Sequence, residues 1–486
     1  PKLPKLLSTH IASLDTPLTL NQLHKSLMQK KNKSALGICS FSALWLKTFW
    51  TELQFPFYKC YLESFKTGLL LSFMRRGLIT LIPKKSKDQK IISNNRPITL
   101  LSVFYKVVSG AIANKLKLVL DYLINTSQKA YVANRYIGEV SKNLLDVMHN
   151  LETNNEEACV MLVDFSKAFD TMSHSFISNT LKIFGFGEGM IEQIMILLRS
   201  RASQISNAGH VSKSFNLERG VPQGDPISAY LYILGMELLT HRLRCERSFR
   251  RVRLKGKTEV FDVVTRTRII RTYSMLELVY ADDLTLILPR CKNTIKNVLT
   301  ILYDFEKVSG LAVNIDKTNI CNIGANPNSE IFCPDLNIEF VKSFTLLGIK
   351  FTNFSTFSDQ NFFSLKGTLD NQLIFYRKQF FSVLGRSFAL KCNILSSITH
   401  RAMVVPCPSD TWLKQTQKDL SHFVFNSKMI KVPINQMVCP IEMGGYGITD
   451  LKLFWLTLKL KVLLKCNTSK DLSLIHISEP TRLLSI

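Results

Sequence analysis

Apolar residues recur along the chain at two spacings, and each spacing predicts an element. Residues 17–53 carry them at helical intervals, with a break near Gly37–Ser40. Around 78–100, "GLITLIPKKSKDQKIISNNRPITLL" predicts two strands joined by a basic loop, with Pro83 and Pro97 as breakers. Helical spacing returns over 102–124 and gives way to the polar stretch Asn125–Lys129. "ACVMLV" (158–163) is a short apolar run of the buried-strand type, and Asp164 ends it. After "LERGVPQGDP" comes a helix, "ISAYLYILGMELLTHRLR", with Asp225 suited to its N-cap and Pro226 to its first turn. The arginine-rich stretch 242–271 predicts loop and irregular strands. Two apolar arms, Leu276–Val279 and Leu284–Leu288, flank Tyr280, Ala281, Asp282 and Asp283, the pattern of a tight hairpin. An amphipathic helix over 293–309 closes at Gly310. Residues 355–465 read as mostly helical and basic, turning near Pro406–Pro408 and Gly444–Gly447. Strands and helices alternate irregularly, which predicts an α+β fold.

Length and charge narrow the function. At 486 residues and 46% hydrophobic, the chain predicts a globular protein of two to four subdomains. Its 62 Lys+Arg against 37 Asp+Glu give a formal charge of +25, which points to a polyanionic partner, most often nucleic acid. No apolar run reaches transmembrane length, and no secretory pattern opens the sequence. The 11 cysteines form no C-x-x-C pair, which disfavours a zinc or disulfide framework and makes a reducing, intracellular setting the default. His210 and His241 are lone histidines with no ligand set around them. The chain starts at Pro1 and is expected to be a fragment; Leu472–Arg482 resembles the conceptual translation of a sequencing-library adapter, so 466–486 is set apart as a tail.

The chemistry is concentrated in carboxylates. Asp282 and Asp283 stand side by side at the hairpin turn, and like charges this close resist joint ionisation. If the Ala158–Val163 strand neighbours the hairpin, Asp164 joins them at one sheet end. A divalent cation relieves such crowding: Mg²⁺ is typically held by one or two carboxylates plus substrate phosphates and water. Two such ions stabilise the attacking and leaving oxygens of an in-line phosphoryl displacement.

These residues resemble the reverse transcriptase of non-LTR retrotransposons, of the long-interspersed-element type. The resemblance is collinear from about residue 17 to about residue 465. It rests on "LIPKKSKD" (81–88), "NRPITLL" (95–101), "DFSKAFD" (164–170), "FGFGEG" (184–189), "RGVPQGDPIS" (219–228), "YADD" (280–283), "SGLAVNIDKT" (309–318) and "FTLLGI" (344–349). "GGYGITDL" (444–451) matches a recurring segment after the thumb.

The resemblance implies a right-hand polymerase. An N-terminal extension and the start of the fingers would occupy 1–55 and the fingers 56–157; the palm, with an interleaved fingers segment, would occupy 158–354, and a helical thumb with connection 355–465. Asp164, Asp282 and Asp283 match the catalytic triad and, with the Phe165 carbonyl, the ligands of two Mg²⁺ ions, for which Mn²⁺ could substitute. Phe169 matches the aromatic position that excludes a 2′-OH. Gln223 and Gly224 match the turn along the incoming nucleotide and template. Lys84 and Arg96 match finger residues that grip the triphosphate, with Lys85 or Lys87 as alternatives to Lys84. Lys317 matches a lysine proposed to protonate pyrophosphate. The implied partners are an RNA template, a DNA primer or nicked target DNA, and dNTPs; the implied setting is the nucleus and a cytoplasmic ribonucleoprotein. Some segments depart from the pattern: 34–41 keeps Gly37 but lacks the expected aspartate, and 127–139 keeps Arg135 while altering what precedes it. A catalytically inactive nucleic-acid-binding remnant and a group II intron-like enzyme stay open as readings.

Overall fold

The computed structural model describes residues 2–468, apart from 85–87, 250, 263–266, 275, 326–337, 353 and 428. The adapter-like tail, Lys85 and Lys87 lie outside the described residues. The chain opens on α1 (Ser8–Asp15), α2 (Leu20–Met28), α3 (Ala43–Thr48), α4 (Trp50–Thr67) and α5 (Ser72–Arg75). Next come β1 (Arg76–Pro83), β2 (Asn95–Leu101), α6 (Val103–Leu123), α7 (Gly138–Thr153), β3 (Glu157–Val163), α8 (Ala168–Thr171), α9 (His174–Ile183) and α10 (Glu188–Leu198). They are followed by β4 (Arg201–Asn207), β5 (His210–Val211), β6 (Phe215–Leu217), α11 (Ser228–Cys245), β7 (Arg253–Asp262), β8 (Thr267–Ser274), β9 (Glu277–Tyr280), β10 (Asp283–Leu288) and α12 (Lys292–Ser309). β11 (Asn319–Gly324), β12 (Glu339–Phe340), β13 (Phe344–Leu346) and β14 (Ile349–Phe351) precede the closing helices α13 (Phe354–Arg377), α14 (Val383–Ala389), α15 (Ser396–Val404), α16 (Asp410–Phe425), α17 (Ile434–Val438) and α18 (Leu451–Thr468).

Local chemistry accounts for many boundaries. α2 starts on a reciprocal box in which the Thr19 hydroxyl accepts from the Gln22 N–H and the Gln22 side chain accepts from the Thr19 N–H. α3 restarts where the Ser42 hydroxyl accepts from the Trp45 N–H at 3.0 Å. Between them Gly37 presses on β2: a Cβ there would lie 2.5 Å from the Leu101 carbonyl. α12 ends as its sequence predicts, with Gly310 at φ 79 and its N–H on the Glu306 carbonyl.

Two sheets organise the first two-thirds of the chain. One has the order β2-β1-β4-β5 with β6 also on β4; the other, the central sheet, runs β12-β11-β3-β10-β9. "ACVMLV" lacks alternation because both faces of β3 are covered. Cys159, Met161 and Val163 join one apolar core with α6, α10 and α11, while Ala158 and Val160 join a second with α7, β14 and Phe357. The closing helices hold a third cluster that includes Leu365, Leu390, Leu420 and Trp455. Among the described residues no helix is long and apolar enough to cross a membrane.

Three details differ from the sequence reading. Pro83 and Pro97 lie inside strands, opposite Asn95 and Leu81; β2 is an edge strand, where proline is tolerated. α11 starts only at Ser228, without a side-chain cap, and Asp225 is buried. α6 offers that carboxylate two hydroxyls one turn apart, Tyr105 at 2.7 Å and Ser109, and burial still raises its pKa above the ordinary value. Finally, Arg242–Cys245 complete α11 where a loop is predicted, while β7 and β8 pair antiparallel with a register shift between Lys255 and Glu259, the irregular strands that the sequence predicts.

Candidate active site

Strand register decides where the acidic residues meet. β3 and β10 are antiparallel with Val163 opposite Leu284, so one step further Asp164 faces Asp283. Tyr280 pairs with Asp283 across the hairpin, which leaves Ala281 and Asp282 as the two turn residues. On the other flank β11 pairs with β3, Asn319 opposite Leu162, and the same register carries Lys317 to Asp164. The Lys317 ammonium lies 3.5 Å from the Asp164 carboxylate. Residues from three distant stretches of sequence thus share one end of one sheet.

The backbone around Asp164 is fixed from β11's side. Its carbonyl accepts from the Asn314 N–H at 2.8 Å, and its N–H reaches the Thr318 hydroxyl at 3.4 Å. Phe165 bridges Val313, but the neighbours make the bonds: Asp164 through its carbonyl and Ser166 through an N–H to the Ala312 carbonyl at 2.8 Å. The Phe165 carbonyl therefore lies outside this pairing. The hairpin turn is strained, because Ala281 has φ 56. A left-handed conformation costs a residue with a Cβ about 1–2 kcal/mol.

The carboxylates perturb one another. Asp282 and Asp283 open onto solvent, yet the protein around the turn strips enough water to raise both. Desolvation is the larger cause, with Asp282 and Asp164 adding repulsion that brings Asp283 to about 6. The Tyr232 hydroxyl, buried behind them, is held well above its usual range by burial and by the negative charge of Asp282, Asp283 and Asp164.

The other candidate residues divide between the α8–loop region and the first sheet. Phe169 stacks on Tyr232 at 4.9 Å, and its carbonyl accepts from the Val221 N–H at 2.7 Å. Gly220 sits at φ 82 where a Cβ would be 2.5 Å from the Asp170 carbonyl, so the "GVPQG" loop can approach α8 only with glycine there. The Gln223 carbonyl accepts from the Thr99 N–H at 3.1 Å, which ties this loop to β2, and Gly224 follows at φ 105. Arg96 is exposed on β2. Lys84, just after β1, turns its ammonium onto the Ser93 carbonyl at 2.8 Å. The structure therefore brings Asp164, Asp282, Asp283 and Lys317 to one end of the central sheet, keeps Phe165 next in chain to Asp164 and Phe169 against Tyr232, and holds Gln223 and Gly224 beside β2, with Arg96 and Lys84 on the first sheet. Tyr232 carries no pattern of its own in the sequence, and Asn314 and Thr318, though inside the 309–318 segment, show their role only through contacts.

The donor set suits a hard divalent cation: carboxylates that disfavour joint ionisation, a backbone carbonyl beside them, and no histidine or thiol. Among the described residues no three His, Cys, Asp or Glu side chains close into a ready-made cage.

A family model described as "Reverse transcriptase (RNA-dependent DNA polymerase)" matches residues 82–351, more than half of the chain. The chain belongs to the reverse transcriptase family. This reverse transcriptase is 25% identical over 453 residues to the "Transposon TX1 uncharacterized 149 kDa protein" of Xenopus laevis, covering 90% of this chain and 32% of that protein. It is 23% identical over 395 residues to the "Retrovirus-related Pol polyprotein from type-2 retrotransposable element R2DM" of Drosophila melanogaster, covering 79% and 35%. The chain spans about a third of the length of these relatives, which are non-LTR element proteins. Among solved structures it is similar to telomerase from Candida albicans, in complex with a TWJ fragment of telomeric RNA, with TM-score 0.46, 14% identity and coverage of 90% and 68%. Telomerase from Candida tropicalis in the corresponding complex gives TM-score 0.43, 16% identity and coverage of 90% and 67%. The reverse transcriptase has the α+β, right-hand polymerase fold that its sequence predicts.

Proposed function

We propose that the chain is the catalytic core of an RNA-directed DNA polymerase that extends a primer 3′-OH with dNTPs on an RNA template, natively primed by nicked target DNA. The observation that carries this reading is the register of β3 with β10, whose ladder ends at Val163 opposite Leu284 and so leaves Asp164 and Asp283, next to Asp282, as the residues just beyond it. Bound divalent cations, Mg²⁺ or Mn²⁺, would neutralise the triphosphate and activate the attacking hydroxyl; Asp164, Asp282, Asp283 and the Phe165 carbonyl would hold them. The chain's own groups position and shield. Phe169, backed by Tyr232, lies under the sugar. Gln223 and Gly224 border the nucleotide, Arg96 and Lys84 meet the phosphates once Lys84 leaves Ser93, and Lys317 gives its proton to departing pyrophosphate. In this reading 56–157 act as fingers, 158–354 as palm, and the basic helices of 355–465 as a thumb that follows the RNA–DNA duplex through its phosphates.

Purified protein with a primed RNA template, dNTPs and Mg²⁺ tests the reading; no incorporation by folded protein overturns it. Phe169→Val should leave dNTP incorporation within about tenfold and raise ribonucleotide incorporation at least about tenfold, because a pocket wall rejects a hydroxyl mainly by shape. Competing dNTP and rNTP extension reads this out.

Metal binding should also depend on pH. The folded-state pKa of Asp283, about 6, lies above its ordinary value, so the repulsion grows as pH rises through about 6 and is nearly complete only well above it. Mg²⁺ plus a dNTP should raise Tm by about 3–5 °C at pH 7.5 and by less at pH 5.5, as differential scanning fluorimetry would show.

A further inference from the structure

We propose that Gln128 is a positioning residue for the Asp282–Asp283 turn, holding Ala281 in its left-handed conformation through both backbone groups of that residue; the role rests on the polymerase reading above. The polar stretch Asn125–Lys129, which ends the helical pattern of α6, does more than connect. Gln128 bridges Val279 in parallel, the Lys129 N–H donates to the Val279 carbonyl at 2.9 Å, and the Val279 N–H donates to the Ser127 carbonyl at 3.1 Å. The stretch thereby lies along the outer edge of β9. Its Gln128 side chain is only 3% exposed.

That amide grips the turn. Oε1 accepts from the Ala281 N–H at 3.0 Å and from the Ala130 N–H at 2.9 Å, while Nε2 donates to the Ala281 carbonyl at 3.4 Å. A two-residue hairpin with positive φ at its first turn position ordinarily uses glycine there. Alanine pays for the same conformation in strain, and strained backbone persists where its surroundings over-determine it. A primary amide facing both the N–H and the carbonyl supplies that constraint. Asp282 is the next residue and Asp283 the one after, so relaxation of φ at Ala281 moves both carboxylates relative to Asp164.

The clamp is itself anchored. The Arg135 guanidinium donates to the carbonyls of Ile124, Asn125 and Gln128 and to the Asp121 carboxylate. Lys129, 6% exposed, pairs with Glu139 on α7 at 2.7 Å. The Asn125 N–H donates to Glu237 on α11 at 3.1 Å. Gln128 therefore reaches the turn from a loop tied to three helices, which is the geometry a positioning group needs.

Two measurements test the role. The first uses the parent protein: hydrogen exchange resolved at the Ala281 amide. A solvent-facing turn amide exchanges near its intrinsic rate, whereas the clamp predicts protection of at least about 100-fold. Exchange at the intrinsic rate overturns the proposal, whether or not the protein polymerises. The second is a cycle of Gln128→Met, Ala281→Gly and the double variant in primer extension, with Asp282→Ala as the inactive reference. Gln128→Met should lower kcat at least about 30-fold and raise the Mg²⁺ concentration for half-maximal rate, since misplaced groups cost about two orders of magnitude. Ala281→Gly, which adopts positive φ without strain, should restore at least about tenfold in the Gln128→Met background. A Gln128→Met protein within about threefold of the parent, or a loss that Ala281→Gly does not repair, overturns the proposal. If the parent incorporates no dNTP, the polymerase reading fails and the exchange result still decides the clamp.

Discussion

Asp282→Ala is expected to lower dNTP incorporation on a primed RNA template by about 10³-fold or more, with the fold intact. The residue stands at the tip of the β9–β10 hairpin, and its carboxylate is raised by desolvation and by Asp164. A group held in that state opposes folding unless something positive joins it, so its removal costs the metal-free protein nothing and relieves Asp283. The Tm without metal should therefore stay level or rise while activity disappears. Mg²⁺ should no longer protect the variant against heat. Primer extension and thermal melts with and without Mg²⁺ check both halves; undiminished incorporation would sink the proposed function.

Arg244→Met is expected to give the largest loss of stability. Arg244 joins Glu237 and, at 2.6 Å, Glu277, and the two carboxylates are 3% and 5% exposed. Removing the shared cation leaves two buried carboxylates unpaired, at a cost of about 3–5 kcal/mol. Burial already raises both glutamates above their ordinary pKa, despite the guanidinium beside them. Without it they rise further. The folded state then binds protons that the unfolded state has released, so the variant loses stability as pH rises through the folded pKa values. Its deficit relative to the parent should be larger at pH 8 than at pH 5, as urea melts at the two values would measure. Glu237 also accepts from the Asn125 N–H, so the loop that carries Gln128 should loosen with it.

The legible part of the protein is the part written in local pattern. β1 and β2 with their basic loop, α6, β3, the acidic hairpin and α12 all follow from period and from turn residues. What the pattern misassigned has a tertiary cause. Asp225 has the right type and place for a cap, but α6 presents Tyr105 and Ser109 to it, and a buried carboxylate is better satisfied there. Pro97 stays in β2 because that strand has a neighbour on one side only. Gln128 lies in the 127–139 segment, but its role is not legible there, since a polar residue in a polar stretch after a helix has no periodic signature.

The sequence by itself determined the candidate chemistry: which carboxylates exist, that Asp282 and Asp283 share a turn, and that Asp164 ends a buried strand. These follow from residue types a few positions apart, where covalent connection limits the choices. Only the tertiary structure decided that Asp164 faces Asp283, that Lys317 arrives from the other flank, and that Gln128 holds the alanine between Tyr280 and Asp282. Those contacts span up to 153 residues, as between Gln128 and Ala281. They depend on strand order and register, which long-range pairing selects through the burial of both sheet faces.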